Sequence, residues 1–485
     1  MFFQFITIDT NQLLDFASGN PFQIVGRLFV IGGWIPFTIV CLWGLKEVWL
    51  MWRQNLFAAK AKYVLLAIDV PKENEQLPKA VENVFTHIHG ASASVDFIGK
   101  WRDGKLQPTF SFEICSHGGY VQFYVRTEVR FRDLVESAVF SQYPDAEINE
   151  VEDYAAPFKT MTFPPKDGDA LDLFGSEFKL KNPDYFPIRT HDEFEEKLAG
   201  EYKDPLGTML ESLSKIRPEE QVWLQILATT PSNNDWKKAG EKYIKKMAGI
   251  KETPKPNLLA QIAGIPIGIL SDAMIHGSVV TPGEVVKKKD DSSMFKMLMM
   301  TPDTKATMEG VAEKIAKPGF NCKIRIVYIA PKKIKFIPRI YPAIKGSLNQ
   351  FNALGSNAFT PYIPVMTQDD YFWLRWTLND KKRRMLSRYI SRSGDGATNS
   401  VLNVTELATI WHFPIITTKA PLVKKTESRR AEPPAGLPQA PRELGGMAEG
   451  EWSRPKRPVK PVKVEPPTDD AGPAIGAPPP SIPFV

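Results

Sequence analysis

The chain has 485 residues and a net charge of +6, and 43% of its residues are apolar. That is length enough for two or three globular units plus tails, with a modest charge that serves solubility or contact with anionic lipid. Its three cysteines, Cys41, Cys115 and Cys322, are far apart and odd in number, which excludes a disulfide framework and a cysteine metal site and agrees with a reducing interior.

Residues 1–26 form an N-terminal arm. Thr10 is placed to cap a short helix, Asn11–Ala17, that ends at Gly19-Asn20-Pro21. Phe2, Phe3, Phe5 and Ile6 make the arm apolar, suited to the outer membrane interface.

A transmembrane helix is expected over residues 27–52. Leu28–Leu45 holds 18 consecutive residues without a charge, enough for most of a hydrocarbon core of about 30 Å. Trp43, Trp49 and Trp52 gather at its far end, where an aromatic belt would sit. The run is too long for a buried core helix. Ala59-Lys60-Ala61 imitates a signal cleavage site, but Asp9 and Asp15 replace the basic cluster a signal peptide needs. Lys46, Arg53, Lys60 and Lys62 follow the span and Arg27 alone precedes it. The positive-inside rule then places the long C-terminal part in the cytoplasm of a bacterial inner membrane.

Residues 60–154 read as a ferredoxin-like α/β domain. Strands are expected at Tyr63–Val70, Thr109–Ser116, Tyr120–Thr127 and Ala146–Val151, with helices at Pro78–His89 and Phe131–Gln142. The order β-α-β-β-α-β predicts an antiparallel four-stranded sheet with both helices on one face. Residues 155–203, rich in Pro, Asp and Phe, read as an extended connector.

Residues 204–365 read as a second α/β domain with an insertion at 250–300. Helices are expected at 204–216, 236–247, 303–315 and 340–351, and strands at 222–229 and 322–330. The apolar run Leu258–Leu270 is too short to span a bilayer, Lys287–Asp291 is a solvated charge run, and Met294, Met297, Met299 and Met300 suit gap filling.

Residues 366–418 form an aromatic and basic helical segment. The string YFWLRW at 371–376 is followed by a helix carrying Lys381, Lys382, Arg383, Arg384 and Arg388. A solvated basic helix is the plainer reading; contact with phosphates of nucleic acid or anionic lipid is the functional one. Leu402–Pro414 reads LNVTELATIWHFP. Asn403 with Glu406 three residues on makes a capping-box-like start, and Leu407, Ile410 and Trp411 form an apolar stripe for docking on the preceding domain or a partner. Residues 419–485 are a disordered tail: 15 of the 41 prolines fall after residue 420, with Lys456 and Arg457 among them.

With LNVTELATIWHFP, the downstream EPPAGLP at 432–438, and DPLGTMLESLSKIRPEEQVWLQIL at 204–227, the chain resembles a bacterial membrane-anchored domain of unknown function that precedes the motor domain of type IV secretion or conjugation ATPases. The likeness extends over residues 20–440. It implies a membrane-bound architecture and a secretion or conjugation system rather than a chemistry. The chain departs from that pattern after Pro438. A phosphate-gripping G-x-x-x-x-G-K-[ST] string is missing: Gly99-Lys100 and Gly104-Lys105 lack the hydroxyl residue, and Lys345-Gly346-Ser347 has the right types in the wrong order.

Other chemistry is scarce. The six histidines form no H-E-x-x-H, His87 and His89 diverge on a helix, and Cys115 with His117 makes only two ligands. No nucleophile elbow occurs. The sequence therefore predicts an α+β protein with no enzyme activity, cofactor or metal. Its expected role is a membrane-anchored scaffold or assembly subunit, oligomeric in the membrane, with lipid, secretion-system proteins and a separate ATPase as partners. Two alternatives stand beside it. One is a membrane-tethered nucleic-acid-binding module using Lys381, Lys382, Arg383, Arg384, Lys456 and Arg457. The other is a truncated copy of the ATPase.

Overall fold

A computed structural model describes residues 34–249 and 300–415, apart from 72–73, 94, 169, 197–200, 203, 369–374 and 398, together with residues 20, 26 and 29. The expected helix Asn11–Ala17, nearly all of the 250–300 insertion, most of the 371–376 aromatic string and the tail with Lys456 and Arg457 lie outside the described residues.

Helix α1 spans Trp34–Ala58 and buries none of its 25 residues. It is long and apolar enough to cross a membrane. It runs six residues past the expected end at 52. The charges that close the apolar run, Lys46, Glu47 and Arg53, are good helix formers, and no Gly or Pro follows before residue 59. The end of the greasy stretch is thus not the end of the helix.

The next elements are β1 (Tyr63–Asp69), α2 (Pro78–His89), β2 (Thr109–His117), β3 (Tyr120–Glu128), α3 (Arg132–Gln142) and β4 (Glu147–Val151). They match the periodicity readings to within one residue at every boundary. Then come β5 (Leu171–Leu180), α4 (Gly207–Ser214), β6 (Gln221–Thr229), α5 (Asp235–Met247), α6 (Pro302–Ala316), β7 (Gly319–Pro331), α7 (Ile337–Asn349) and β8 (Phe359–Pro361). The last three are α8 (Arg375–Ser391), β9 (Ser400–Asn403) and α9 (Val404–Ile410).

The strands join in one sheet in the order β8-β5-β7-β6-β2-β3-β1-β4, with β9 beside β7. Every neighbouring pair is antiparallel. The regions expected as two α/β domains therefore meet edge to edge, through β2 and β6, with Glu113 opposite Gln225 at the middle of the pairing. Outward from that pair the sheet reads β3, β1, β4 on one side and β7, β5, β8 on the other. Both halves run strand-helix-strand-strand-helix-strand along the chain; the second inserts α5 and α6 between β6 and β7.

The expected connector is corrected by β5, which lies between β7 and β8. Its sequence LDLFGSEFKL lacks a clean alternation because both of its faces are covered. One side meets the main core through Phe174 and Phe178, and the other lies under α8, where Met385 packs so closely on Gly175 that a Cβ there would collide with it.

On one face of the sheet α2, α3, α4, α7 and α9 bury a core containing Phe85, Phe112, Phe123, Leu213, Ile344 and Trp411. On the other, α8 covers a smaller cluster of Cys115, Leu173, Trp223, Val327, Met385 and Tyr389. A residue shift of one in any strand would exchange these faces.

Candidate functional site

The strands that meet at the sheet centre carry charges on the face beneath α8. Glu113 on β2, Glu177 on β5 and Arg325 on β7 are fully buried, and Lys323 on β7 nearly so. Pairing register puts them on one side: Glu113 is opposite Gln225, Gln225 opposite Arg325, and Arg325 opposite Glu177. The fifth charge arrives from the C-terminal end of α8. Arg392, just past the helix, adopts φ +51°. A left-handed conformation in a residue with a side chain costs on the order of 1–2 kcal/mol. Here it turns the guanidinium back under α8.

Glu113 accepts from Ser111 Oγ at 2.5 Å, Tyr154 OH at 2.7 Å, Gln225 Nε2 at 3.0 Å, and Arg392 Nε and Nη2 at 3.0 and 3.2 Å. Arg392 Nη2 also reaches Asp153 at 2.9 Å. Arg325 donates to Glu177 at 2.8 Å and to the carbonyls of Arg388, at 3.2 Å, and Asp395. Glu177 accepts from the Ala397 N–H at 2.5 Å, and Lys323 donates to the carbonyls of Ala397, at 2.6 Å, and Gly394. Gly396, at φ +121°, passes so near the Glu177 carboxylate that a Cβ would overlap it.

Burial alone would raise the Glu113 carboxyl, but the Arg392 charge and the hydrogen bonds from Arg392, Ser111 and Tyr154 outweigh it and hold the group below the usual carboxylate range. Burial pushes the Cys115 thiol well up, which makes it inert. Five donors fill both oxygens of Glu113, so it offers no free lone pair to a substrate. The cluster clips the 392–397 turn, and with it α8, onto the sheet. Among the described residues no group of three His, Cys, Asp or Glu converges on a metal position.

The predicted phosphate contacts separate. Lys382 is buried and bonds Asp172 at 2.7 and 2.9 Å beside Lys335; it is a structural cation, not a phosphate ligand. Its position on α8 faces the sheet, whereas Arg383 and Arg384, one and two residues on, face outward. Arg383 pairs with Asp380 at 2.7 Å, and Lys381 is half-buried.

The stripe of Leu407, Ile410 and Trp411 docks on the preceding domain, against α2 and the sheet, as one of its two readings expected; being interior, it presents no surface to a partner, which corrects the other. Trp411 lies among Phe85, Phe112, Phe123 and Phe413, with ring centroids 5.2–6.0 Å away. The capping box is complete: Glu406 N donates to Asn403 at 2.8 Å and Asn403 N to Glu406 at 2.9 Å. The Glu406 carboxylate further accepts from Ile188 N at 2.8 Å and pairs with the buried Lys314 at 3.0 Å. His412 Nε2 lies 2.9 Å from Asp204 Oδ1, so the segments at 204–227 and 402–414 touch.

Glu113, Glu177, Lys323, Arg325 and Arg392 escaped the sequence reading. For the four strand residues the signal was there: a charge inside the apolar strings TFSFEICSH, FGSEFKL and CKIRIVYIA is costly unless paired, so each such strand requires a partner from elsewhere; Arg392, in the polar turn after α8, carries no such mark.

No curated protein matches the chain. A family model does match, over residues 55–426, from the last turn of α1 to beyond α9. The chain belongs to that family, a domain of unknown function, DUF8128.

Proposed function

We propose that the protein is a non-catalytic scaffold held in a bacterial inner membrane by α1, with its body in the cytoplasm, and that it serves a type IV secretion or conjugation-like apparatus beside a separate ATPase. The observation that carries the reading is α1 itself: 25 residues, none buried, joined to β1 by only four residues. Such a helix needs an apolar medium that the body does not provide. Lys60 and Lys62 at its exit favour the cytoplasmic side for the body that begins at β1.

The reading of residues 60–154 as a ferredoxin-like unit is supported by the strand order β2-β3-β1-β4 and by α2 and α3 packing on one another. The secretion-system assignment draws on the resemblance of the 204–227 and 402–414 segments, which line one interior contact.

Mild detergent extraction of native membranes followed by affinity capture of the full chain tests the proposal. Recovery of an ATPase and of further copies of the chain is expected; recovery of the protein alone overturns it.

A further inference from the structure

The connection between α2 and β2 contains a helical turn, Gly99–Asp103, that packs against α1 rather than against the sheet. Trp49 Nε1 donates to the Trp101 carbonyl at 3.2 Å, and Lys46 Nζ lies 5.5 Å above the Trp101 ring. Gly104, at φ +69°, approaches the Arg53 carbonyl so closely that a Cβ would overlap it. These contacts fix a direction. Gly104 is level with Arg53, and Trp101 is level with Lys46 and Trp49. The chain read from 104 back to 101 therefore climbs α1 toward its apolar middle, by about 10 Å between Arg53 and Lys46 at 1.5 Å per residue.

The start of this turn, beside Trp101, is greasy and exposed. Phe97 is 78% exposed and Ile98 56% exposed, and the Phe97 ring rests 6.1 Å from that of Trp101. Lys100, Arg102 and Lys105 are exposed beside them. Along the same stretch α1 carries Trp49, at the level of Trp101, and Trp52, nearer Gly104, with ring centroids 5.3 Å apart and the Arg53 guanidinium over both rings. Trp, Phe and basic side chains in one ring around a span are the composition of a membrane–water interface.

We propose that the 97–101 turn is a second membrane contact, in which Phe97 and Ile98 enter the boundary between headgroups and acyl chains while Lys100 and Lys105 reach phosphates. The inference rests on α1 being a span. Its occupant is the bilayer itself, because the turn continues the surface that α1 presents at the depth of its tryptophans. Two contacts instead of one fix the tilt of the sheet above the membrane, so that its edges face neighbours in the membrane plane in one orientation.

Fluorescence quenching by spin-labelled lipids tests this with the full chain in vesicles of phosphatidylcholine and phosphatidylglycerol. Cys41 is the one exposed cysteine among the described residues, and Cys115 and Cys322 are buried, so an environment-sensitive dye on the native chain reports α1. Cys41→Ser with Phe97→Cys reports the turn, and Cys41→Ser with Ile98→Cys is a second reporter should the first disturb packing. Cys41→Ser with Tyr120→Cys reports the body: Glu128 and Val129 lie beside Lys60 and Lys62, and Tyr120 is at the opposite end of β3. Quenching at 41 by deep labels, at 97 or 98 by shallow labels, and several-fold less at 120 is expected. Quenching at 41 with none at 97 and 98 overturns the inference and leaves the span standing. Absence of quenching at 41 removes the span and the inference together. Equal quenching at 97 and 120 means the whole body lies on the lipid, and also overturns it.

Discussion

Replacing Arg392 by Met tests whether the clip beneath α8 is held by charge. The change removes the arginine paired with Glu113, whose carboxylate is fully buried, while Asp153, the other partner, is 31% exposed and can turn to water. Breaking a buried pair from one side costs about 3–5 kcal/mol. Glu113 has a way out, which is to take a proton. At pH 7, protonating a carboxyl of ordinary pKa costs about 3.7 kcal/mol, and at pH 5 about 1 kcal/mol, at 1.36 kcal/mol per pH unit. In the native chain the Glu113 pKa is depressed, so its contribution is present above the unfolded carboxyl range and is lost only as pH falls through the lower folded value. In Arg392→Met the sign reverses: the folded pKa is raised, and stability falls as pH rises from the unfolded value through the folded one. The expected loss is therefore about 3–4 kcal/mol at pH 7, shrinking by about 2–3 kcal/mol at pH 5. Glu113→Gln with Arg392→Met removes the buried charge and should recover most of the loss with no such pH dependence. Denaturant unfolding of the full chain in detergent micelles, followed by the fluorescence of the buried Trp223 and Trp411, reads all three. A loss for Arg392→Met that is the same at both pH values, or one below about 0.5 kcal/mol, refutes the argument.

Two further changes probe the rest of the body. Trp411→Ala opens a hole among four phenylalanines and should cost about 3–5 kcal/mol; Trp411→Phe should cost much less, because the indole N–H has no hydrogen-bond partner among the described residues, and the same unfolding assay ranks them. Burial pushes the Lys323 amine down to about 8, so between pH 8 and the unfolded value of about 10.4 the unfolded chain holds more protons and stability rises with pH. Lys323→Met should lack that rise, and a stability difference between native and variant chains that stays constant from pH 7.5 to 10 would contradict it.

What the sequence determined is local. The charge-free run before Lys46, the apolar string of Tyr63–Asp69, the alternation of Tyr120–Glu128, the 3.6-residue spacing in Pro78–His89 and the Asn403–Glu406 cap all appear as elements where the pattern put them. Those signals come from groups a few residues apart, and a single window contains them. The tertiary structure decided the rest, because its causes are far apart in the chain. β5 was illegible because α8, 200 residues later, covers the face whose polarity would otherwise have marked it. One sheet rather than two domains follows from β2 and β6 pairing edge strands 104–120 residues apart. Lys382 could not be told from its basic neighbours until Asp172 claimed it, and the stripe of Leu407, Ile410 and Trp411 called for a surface to dock on without saying that α2 supplies it. A periodic pattern says that a face must be buried. Only the assembled sheet supplies the surface that buries it.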